Sequence, residues 1–301
     1  MPPIDVTRFA ELPLLSAALC QRADNAEATH VYTSPAAFEA FIRGGGNVPL
    51  YGRVSEELAS HYAPDVGSLL DIGCGDGHAL FPAMASTARL HALERLTLVE
   101  PASALLASAV ARAQAEQATL PVQALNEGLG AFAARLQPDD RWDLVQATFA
   151  LQAIPEPERW GGLARLCAHA KRLVIVEFDI PDLQRGTDAY VASLAQRYER
   201  ALGEYEGATR DLVAQGFLIP MFLGQLDAQT AATNWEHPMP VWRDKLESLG
   251  WGVTRLEHLS DYFWAPAFVL VAEAGSPSGQ TGHEAEHSSG APRIATPGGD
   301  P

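Results

Sequence analysis

The sequence predicts an α/β fold: a doubly wound, mostly parallel sheet of seven strands that ends in an antiparallel hairpin, with helical additions before the first strand and after the fifth. Three observations predict it. Short β-branched runs alternate with longer Ala-, Leu- and Arg-rich segments, a glycine-rich turn follows the first such run, and only a short connection joins the last two. At 301 residues and 47% hydrophobic content the chain can bury a sizeable core without disulfides.

The elements follow in order. Residues Met1 to Pro64 hold three helix-like stretches, the second opened by Ser34-Pro35 as N-cap and first helical position, and form an N-terminal helical lid. The core, residues 65–274, starts with strands at Ser68 to Ile72, Leu96 to Glu100, Val122 to Leu125, Leu144 to Ala147 and Leu173 to Glu177. Helical patterns at Ala79 to Ser86, Ser103 to Glu116, Leu129 to Leu136 and Pro157 to Ala170 separate them. A strandless insert, residues 182–241, is helical at Ala189 to Gly203 and Thr209 to Leu212, and a last helix covers Val241 to Leu249. Strands Val253 to Leu259 and Phe268 to Ala272 then pair as the hairpin, because His258 to Pro266 is too short for a parallel crossover. From Gly275 to Pro301 the chain is rich in Gly, Pro and Ser and has almost no apolar side chains, which predicts a disordered tail.

Charge and cysteine usage narrow the function. With 21 basic and 37 acidic side chains the net charge is -16, and no basic patch interrupts it, so neither nucleic acid nor an anionic membrane is an expected partner. Cys20, Cys74 and Cys167 lie far apart without CxxC spacing, as reduced thiols rather than a disulfide frame or metal site. No apolar run reaches membrane-spanning length, and Met1 to Glu11 lacks the basic and apolar regions of a secretion signal, so a cytoplasmic location is expected. Nothing in the sequence specifies an oligomeric state.

The segment Leu69-Leu70-Asp71-Ile72-Gly73-Cys74-Gly75-Asp76-Gly77-His78 carries the most chemistry. Gly73 and Gly75 allow a tight turn and close approach of a ligand to the peptide groups, and the helix that follows presents unpaired N–H groups. Asp71 can pair with an ammonium, and Glu100 at the end of the second strand can accept two ribose hydroxyls. The G-x-G-x-G spacing also fits a dinucleotide site, but the third-glycine spacing of that motif is missing.

Asp71-Ile72-Gly73-Cys74-Gly75-Asp76-Gly77 resembles motif I of class I S-adenosylmethionine-dependent methyltransferases. Further segments resemble that family in the right order. Leu98-Val99-Glu100-Pro101 is similar to its ribose-binding strand end, and Asn126-Glu127-Gly128-Leu129 to the loop that clasps adenine. Trp142 through Thr148-Phe149-Ala150-Leu151-Gln152 is similar to the fourth strand and its loop, and Arg172 to Phe178 to the fifth strand. The resemblance implies a Rossmann-like fold, S-adenosylmethionine as cofactor, and cofactor contacts from Tyr51, Asp71, Gly73, Gly75, Glu100, Pro101, Asn126, Glu127, Gly128, Leu129 and Thr148.

Departures from the family define the acceptor by exclusion. The Asn/Asp-Pro-Pro-aromatic element of nucleobase and amide methylation is replaced by Ala147-Thr148-Phe149-Ala150. Metal-assisted catechol chemistry lacks a carboxylate on the fourth strand to join Glu177 and Asp179, so no metal is expected. Gln152-Ala153 stands where many relatives have a histidine pair.

Substrate contacts are therefore sought in the additions: Asn47, Gln152, Trp235 and Trp264, with Tyr51, Glu236 and His237 as candidate catalytic groups. Gly44 to Gly46 reads either as a helix cap and turn or as a hinge that closes Asn47 and Tyr51 over the cofactor. His237 reads either as a loop histidine before Pro238 or as a base.

The N-terminal Gly-Gly-Gly-Asn segment and Tyr262-Phe263-Trp264-Ala265-Pro266 are similar to parts of natural-product methyltransferases, some of which methylate indole rings. They imply an enzyme of secondary metabolism that methylates a small aromatic or indole-like acceptor at carbon or nitrogen rather than oxygen. The alternative is a catalytically silent module that binds S-adenosylmethionine or a protein partner.

Overall fold

A computed structural model describes residues 5–24, 34–87, 92–227 and 234–275. Apart from Gly275, the expected C-terminal tail lies outside the described residues.

Seven strands form one sheet: β1 (Ser68–Ile72), β2 (Arg95–Val99), β3 (Val122–Leu125), β4 (Trp142–Thr148), β5 (Ala170–Phe178), β6 (Trp251–Ser260) and β7 (Ala267–Ala274). Their order is β3-β2-β1-β4-β5-β7-β6, with the first five parallel and β7 antiparallel to both neighbours. The hairpin therefore sits as expected, with β6 at the edge. The order reverses between β1 and β4, and open α/β sheets bind ligands at the carboxyl ends of the strands flanking that point. Asp143 sets the β1–β4 register from below: its Oδ2 accepts from Gly67 N, Ser68 N and Ser68 Oγ at 3.0, 2.9 and 2.8 Å.

Alternation along the central strands builds two cores. Leu69, Leu96, Leu144 and Val174 face helices α3 (Asn47–His61), α4 (Leu80–Ser86) and α5 (Ser103–Glu116). Leu70, Val99, Val145 and Leu173 face α6 (Leu129–Ala134), α7 (Glu156–Leu166) and α11 (Met239–Ser248). A third core joins the remaining helices: α1 (Pro13–Asp24), α2 (Pro35–Ile42), α8 (Asp188–Gly203), α9 (Gly207–Val213) and α10 (Ile219–Leu226). Sequence-distant additions thus share one helical cap. Ser34 caps α2 as expected, its hydroxyl accepting from Ala37 N.

One element differs from the sequence expectation. The stretch after Leu212 stays helical through a π turn at Ala214–Leu218 into α10. Gly216 and Pro220 look like breakers, but Gly216 lets α2 approach, since a Cβ there would lie 2.5 Å from Ala37 Cβ, and the wider turn absorbs the ring of Pro220. The segment from Asn47 is α3, one of the helix-like stretches expected before the first strand, with Pro49 in its first turn, and it packs on the sheet.

Candidate active site

The glycine turn after β1 opens onto a cavity of about 530 Å³ at the carboxyl ends of β1, β2 and β4. Gly73, Gly75 and Gly77 all have positive φ, which side-chain-bearing residues adopt at a cost. At Gly73 (φ 65°) a Cβ would lie 2.3 Å from Ala150 Cβ, whereas at Gly75 no atom comes within 4 Å, so its backbone is bare toward the cavity.

Two buried carboxylates flank the turn. Glu100 is fixed by Gly75 N on Oε2 (3.0 Å) and Ala102 N on Oε1 (2.8 Å), which leaves lone pairs on both oxygens for further donors. Asp71 receives Gln146 Nε2 at 3.1 Å. Its burial pushes its pKa up to about 7, against the bond from Gln146, and Glu100 nearby adds to the rise.

Tyr51, Asp71, Gly73, Gly75, Glu100, Pro101, Glu127, Gly128, Leu129 and Thr148 all line this cavity. Asn126 does not. Its side-chain nitrogen donates to the carbonyls of Glu100 and Pro101, both at 2.9 Å, so it braces the loop instead of contacting a ligand. The alternation of β3 could not reveal that choice, because the residue lies past the strand end. Thr148 Oγ1 is buried at the cavity wall without a hydrogen bond among the described residues.

A second cavity, of about 190 Å³, adjoins the first. Ile42, Tyr51 and Phe149 belong to both linings. Phe149 is the one described non-glycine residue with positive φ (50°), and backbone strain of this kind concentrates at functional sites. Its ring stacks on Phe178 at 4.3 Å and 9°, and Phe178 on Tyr262 at 5.4 Å and 13°. Tyr51 meets Phe149 edge-on at 5.8 Å and His78 at 4.6 Å. Burial drives the Tyr51 hydroxyl well above the usual tyrosine range. The second cavity is otherwise lined by aromatic and aliphatic side chains of α2, α8, the π turn and the β6–β7 connection.

Asn47, Gln152, Glu236 and Trp264, all singled out from the sequence, line it as well. Asn47 bridges Phe41 O (2.8 Å) and Tyr262 OH (2.7 Å). Trp264 Nε1 donates to Glu236 Oε1 at 2.8 Å. Glycines 44 to 46 form the turn between α2 and α3, where a Cβ on Gly45 would lie 2.9 Å from Glu204 Cβ.

Trp235 and His237 are placed elsewhere. Both line a third cavity, of about 580 Å³, that shares only Met221, Asn234, Glu236 and Trp264 with the second. His237 packs against Trp160 and Trp242, 3.5 Å from Glu156 Oε1 without making a hydrogen bond, and burial lowers its pKa. It does not reach the second cavity, so it is not the base there. Trp235 contributes its backbone: its N–H donates to Gln152 O at 2.7 Å, and its carbonyl accepts from Arg159 Nη1 at 2.7 Å.

Two participants escaped the sequence reading, and a third, Glu177, is weighed there only as a metal ligand. Gln146 links Asp71 to Tyr62 OH (2.9 Å). Arg159 is fully buried between Trp160 and Trp242, with its pKa lowered to about 10 by that burial. Glu177, also buried, accepts Leu151 N and Gln152 N on Oε1 at 2.8 and 3.1 Å, and burial raises its pKa to about 8. A Gln inside a strand and an Arg on a helix carry no local sign of their partners; β4 beside β1 gives Gln146 its carboxylate, and the loops after β4 and before α11 give Arg159 its carbonyls.

With the site in view, the chain compares as follows. Its sheet order and terminal hairpin are those of the class I methyltransferase fold. Among solved structures, mitomycin 7-O-methyltransferase MmcR is 16% identical at a TM-score of 0.52, over 87% of this chain and 66% of that one. An O-methyltransferase family protein from Burkholderia thailandensis is 14% identical at a TM-score of 0.52, over 88% and 73%. Magnesium protoporphyrin IX methyltransferase from Synechocystis, crystallised with SAH, is 17% identical at a TM-score of 0.50, over 81% and 97%. No protein-family model matches the sequence, and no curated protein matches it.

Proposed function

We propose that the protein transfers a methyl group from S-adenosylmethionine to a small, flat acceptor. The observation that carries this reading is the shared wall of Ile42, Tyr51 and Phe149, where a cavity fitted to the cofactor meets an aromatic one. The residues of the first cavity fit the group. Glu100 has lone pairs for a ribose diol, Asp71 suits an ammonium, the bare backbone at Gly75 admits close approach, and Thr148 Oγ1 is an unused polar atom. The cofactor, when bound, supplies an already activated methyl group on a sulfonium, so the protein's work is placement.

Tyr51 and Phe149 hold that placement, and their ring faces attract a cation. Burial keeps the proton on Tyr51, and Glu177 behind the wall holds its own up to about pH 8. Neither is a ready base at neutral pH, and burial also raises the pKa of Glu236, the carboxyl on the second cavity. This favours a ring carbon or nitrogen, nucleophilic without prior deprotonation, over a hydroxyl that needs a base. A net charge of -16 supports a small-molecule acceptor over nucleic acid.

Calorimetry tests the reading. S-adenosylmethionine is expected to bind at micromolar concentration, with binding abolished in Asp71→Ala and weakened in Glu100→Ala. Labelled methyl should move from the cofactor into a metabolite extract in a single turnover. Absence of binding to the folded wild-type protein overturns the reading, and binding with all label retained on the cofactor points to a silent module.

A further inference from the structure

We propose that the second cavity selects acceptors whose ring carries a hydrogen-bond donor, an N–H or O–H, and that Gln152 Oε1 is the atom that receives it. This rests on that cavity being the acceptor site.

Gln152 lines the cavity, and its Oε1 is buried without a hydrogen bond among the described residues. Buried polar atoms are nearly always paired in native proteins, so an orphan on a side chain that lines a cavity is where a ligand's polar group would be received. The point from which the side chain projects is fixed, because its backbone is pinned on several sides. Glu177 Oε1 takes the N–H groups of Leu151 and Gln152, Arg159 Nη1 donates to Leu151 O at 3.1 Å, and Trp235 N donates to Gln152 O. Glu177 is thus a positioning residue that acts through Gln152.

Several neighbouring donors are already committed. Asn47 Nδ2 serves Phe41 O, Tyr262 OH serves Asn47 Oδ1, Tyr198 OH serves Gln225 Oε1, and Trp264 Nε1 serves Glu236 Oε1. Besides the Asn234 amide and the Tyr51 hydroxyl on its lining, the cavity offers a ligand acceptor oxygen at Gln152 Oε1 and at the second oxygen of Glu236, which has Arg197 Nη1 at 3.9 Å. The stacked rings of Phe149, Phe178 and Tyr262 make part of the lining apolar and aromatic. A flat ring with one donor satisfies both features. A ring of the same shape without the donor strands Gln152 Oε1 in a dry site and is rejected.

The experiment compares indole with benzothiophene, two bicyclic rings of similar shape of which only indole has an N–H. Affinities are measured by calorimetry with and without saturating S-adenosylhomocysteine. Indole is expected to bind wild-type protein at least about tenfold more tightly. Gln152→Leu should bring the ratio near one, and Gln152→Glu, which keeps an acceptor oxygen, should preserve the preference. Gln152→Met is the second variant if Gln152→Leu does not fold. Equal binding, binding of neither probe, or a preference unchanged in Gln152→Leu or Gln152→Met overturns the proposal. Loss of S-adenosylhomocysteine binding alone overturns the methyltransferase reading instead, since the two probes are also compared without it.

Discussion

Gln146 Nε2 donates to Asp71 Oδ2 at 3.1 Å across the β1–β4 pairing, and the Gln146 amide is itself held by Tyr62 OH at 2.9 Å. A helix-end tyrosine and a strand neighbour therefore orient the carboxylate beside the glycine turn. Removing the amide would leave both Tyr62 and Asp71 without that partner inside the sheet.

This relation gives a pH prediction. The pKa of Asp71 is raised from 3.8 to about 7 by burial, so in the ligand-free protein its contribution to stability is complete below 3.8 and is lost as pH rises through about 7. An ammonium ligand needs the ionised form, so cofactor affinity should run the other way, falling about tenfold per pH unit below 7. Calorimetry between about pH 5 and pH 8 checks the affinity, and thermal melts of the unliganded protein check the stability. A flat affinity profile would remove Asp71 from the ammonium site.

Gly73→Ala should abolish cofactor binding. The added methyl meets Ala150 Cβ at 2.3 Å, and φ is 65°, so strain of roughly 1–3 kcal/mol is imposed on the turn itself. A melting temperature lowered by a few degrees, with no heat on titration of S-adenosylmethionine, is the expected pair of results.

At the wall between the cavities, Phe149→Gly relieves the strained φ of 50° but removes the ring stacked at 4.3 Å on Phe178. Cofactor affinity is expected to stay within about threefold while labelled methyl transfer into an extract falls by about tenfold or more, as misplacement of reactants predicts. A variant with unimpaired transfer would show that the wall does not position the acceptor.

Arg159→Met preserves much of the packing between Trp160 and Trp242 but removes the donor that serves Leu151 O and Trp235 O. Two carbonyls are left unsatisfied at roughly 1–3 kcal/mol each, offset in part because a buried cation is also removed. A net loss of about 2 kcal/mol in denaturant unfolding is expected, together with weaker discrimination between indole and benzothiophene as Gln152 loosens. Unchanged stability would mean that burial of the guanidinium costs as much as its bonds return.

Much of this was legible in the sequence. Strands and glycine turn follow from local rules: Leu69, Leu70 and Ile72 put apolar side chains on both faces, as a central parallel strand must, and the turn after it needs positive φ. Asp71 and Glu100 could be read because their places at strand ends next to that turn fix where they point. Asn126 could not, since one bond rotation decides whether its amide meets a ligand or a neighbouring carbonyl. The loop before α11 was harder still: Glu236 lines both the second and the third cavity and His237 the third alone, though they are adjacent in the chain.

The sequence by itself determined the sheet, its order class, the cofactor-facing turn and the division into core and helical additions, because periodicity and turn chemistry act over a few residues. Only the tertiary structure decided which side chains share a cavity. Gln146 meets Asp71 from 75 positions away, and Tyr262 meets Asn47 from 215. Contacts at such separations are set by packing of whole layers, where buried polar groups must find partners wherever the fold brings one, and no local pattern encodes that choice.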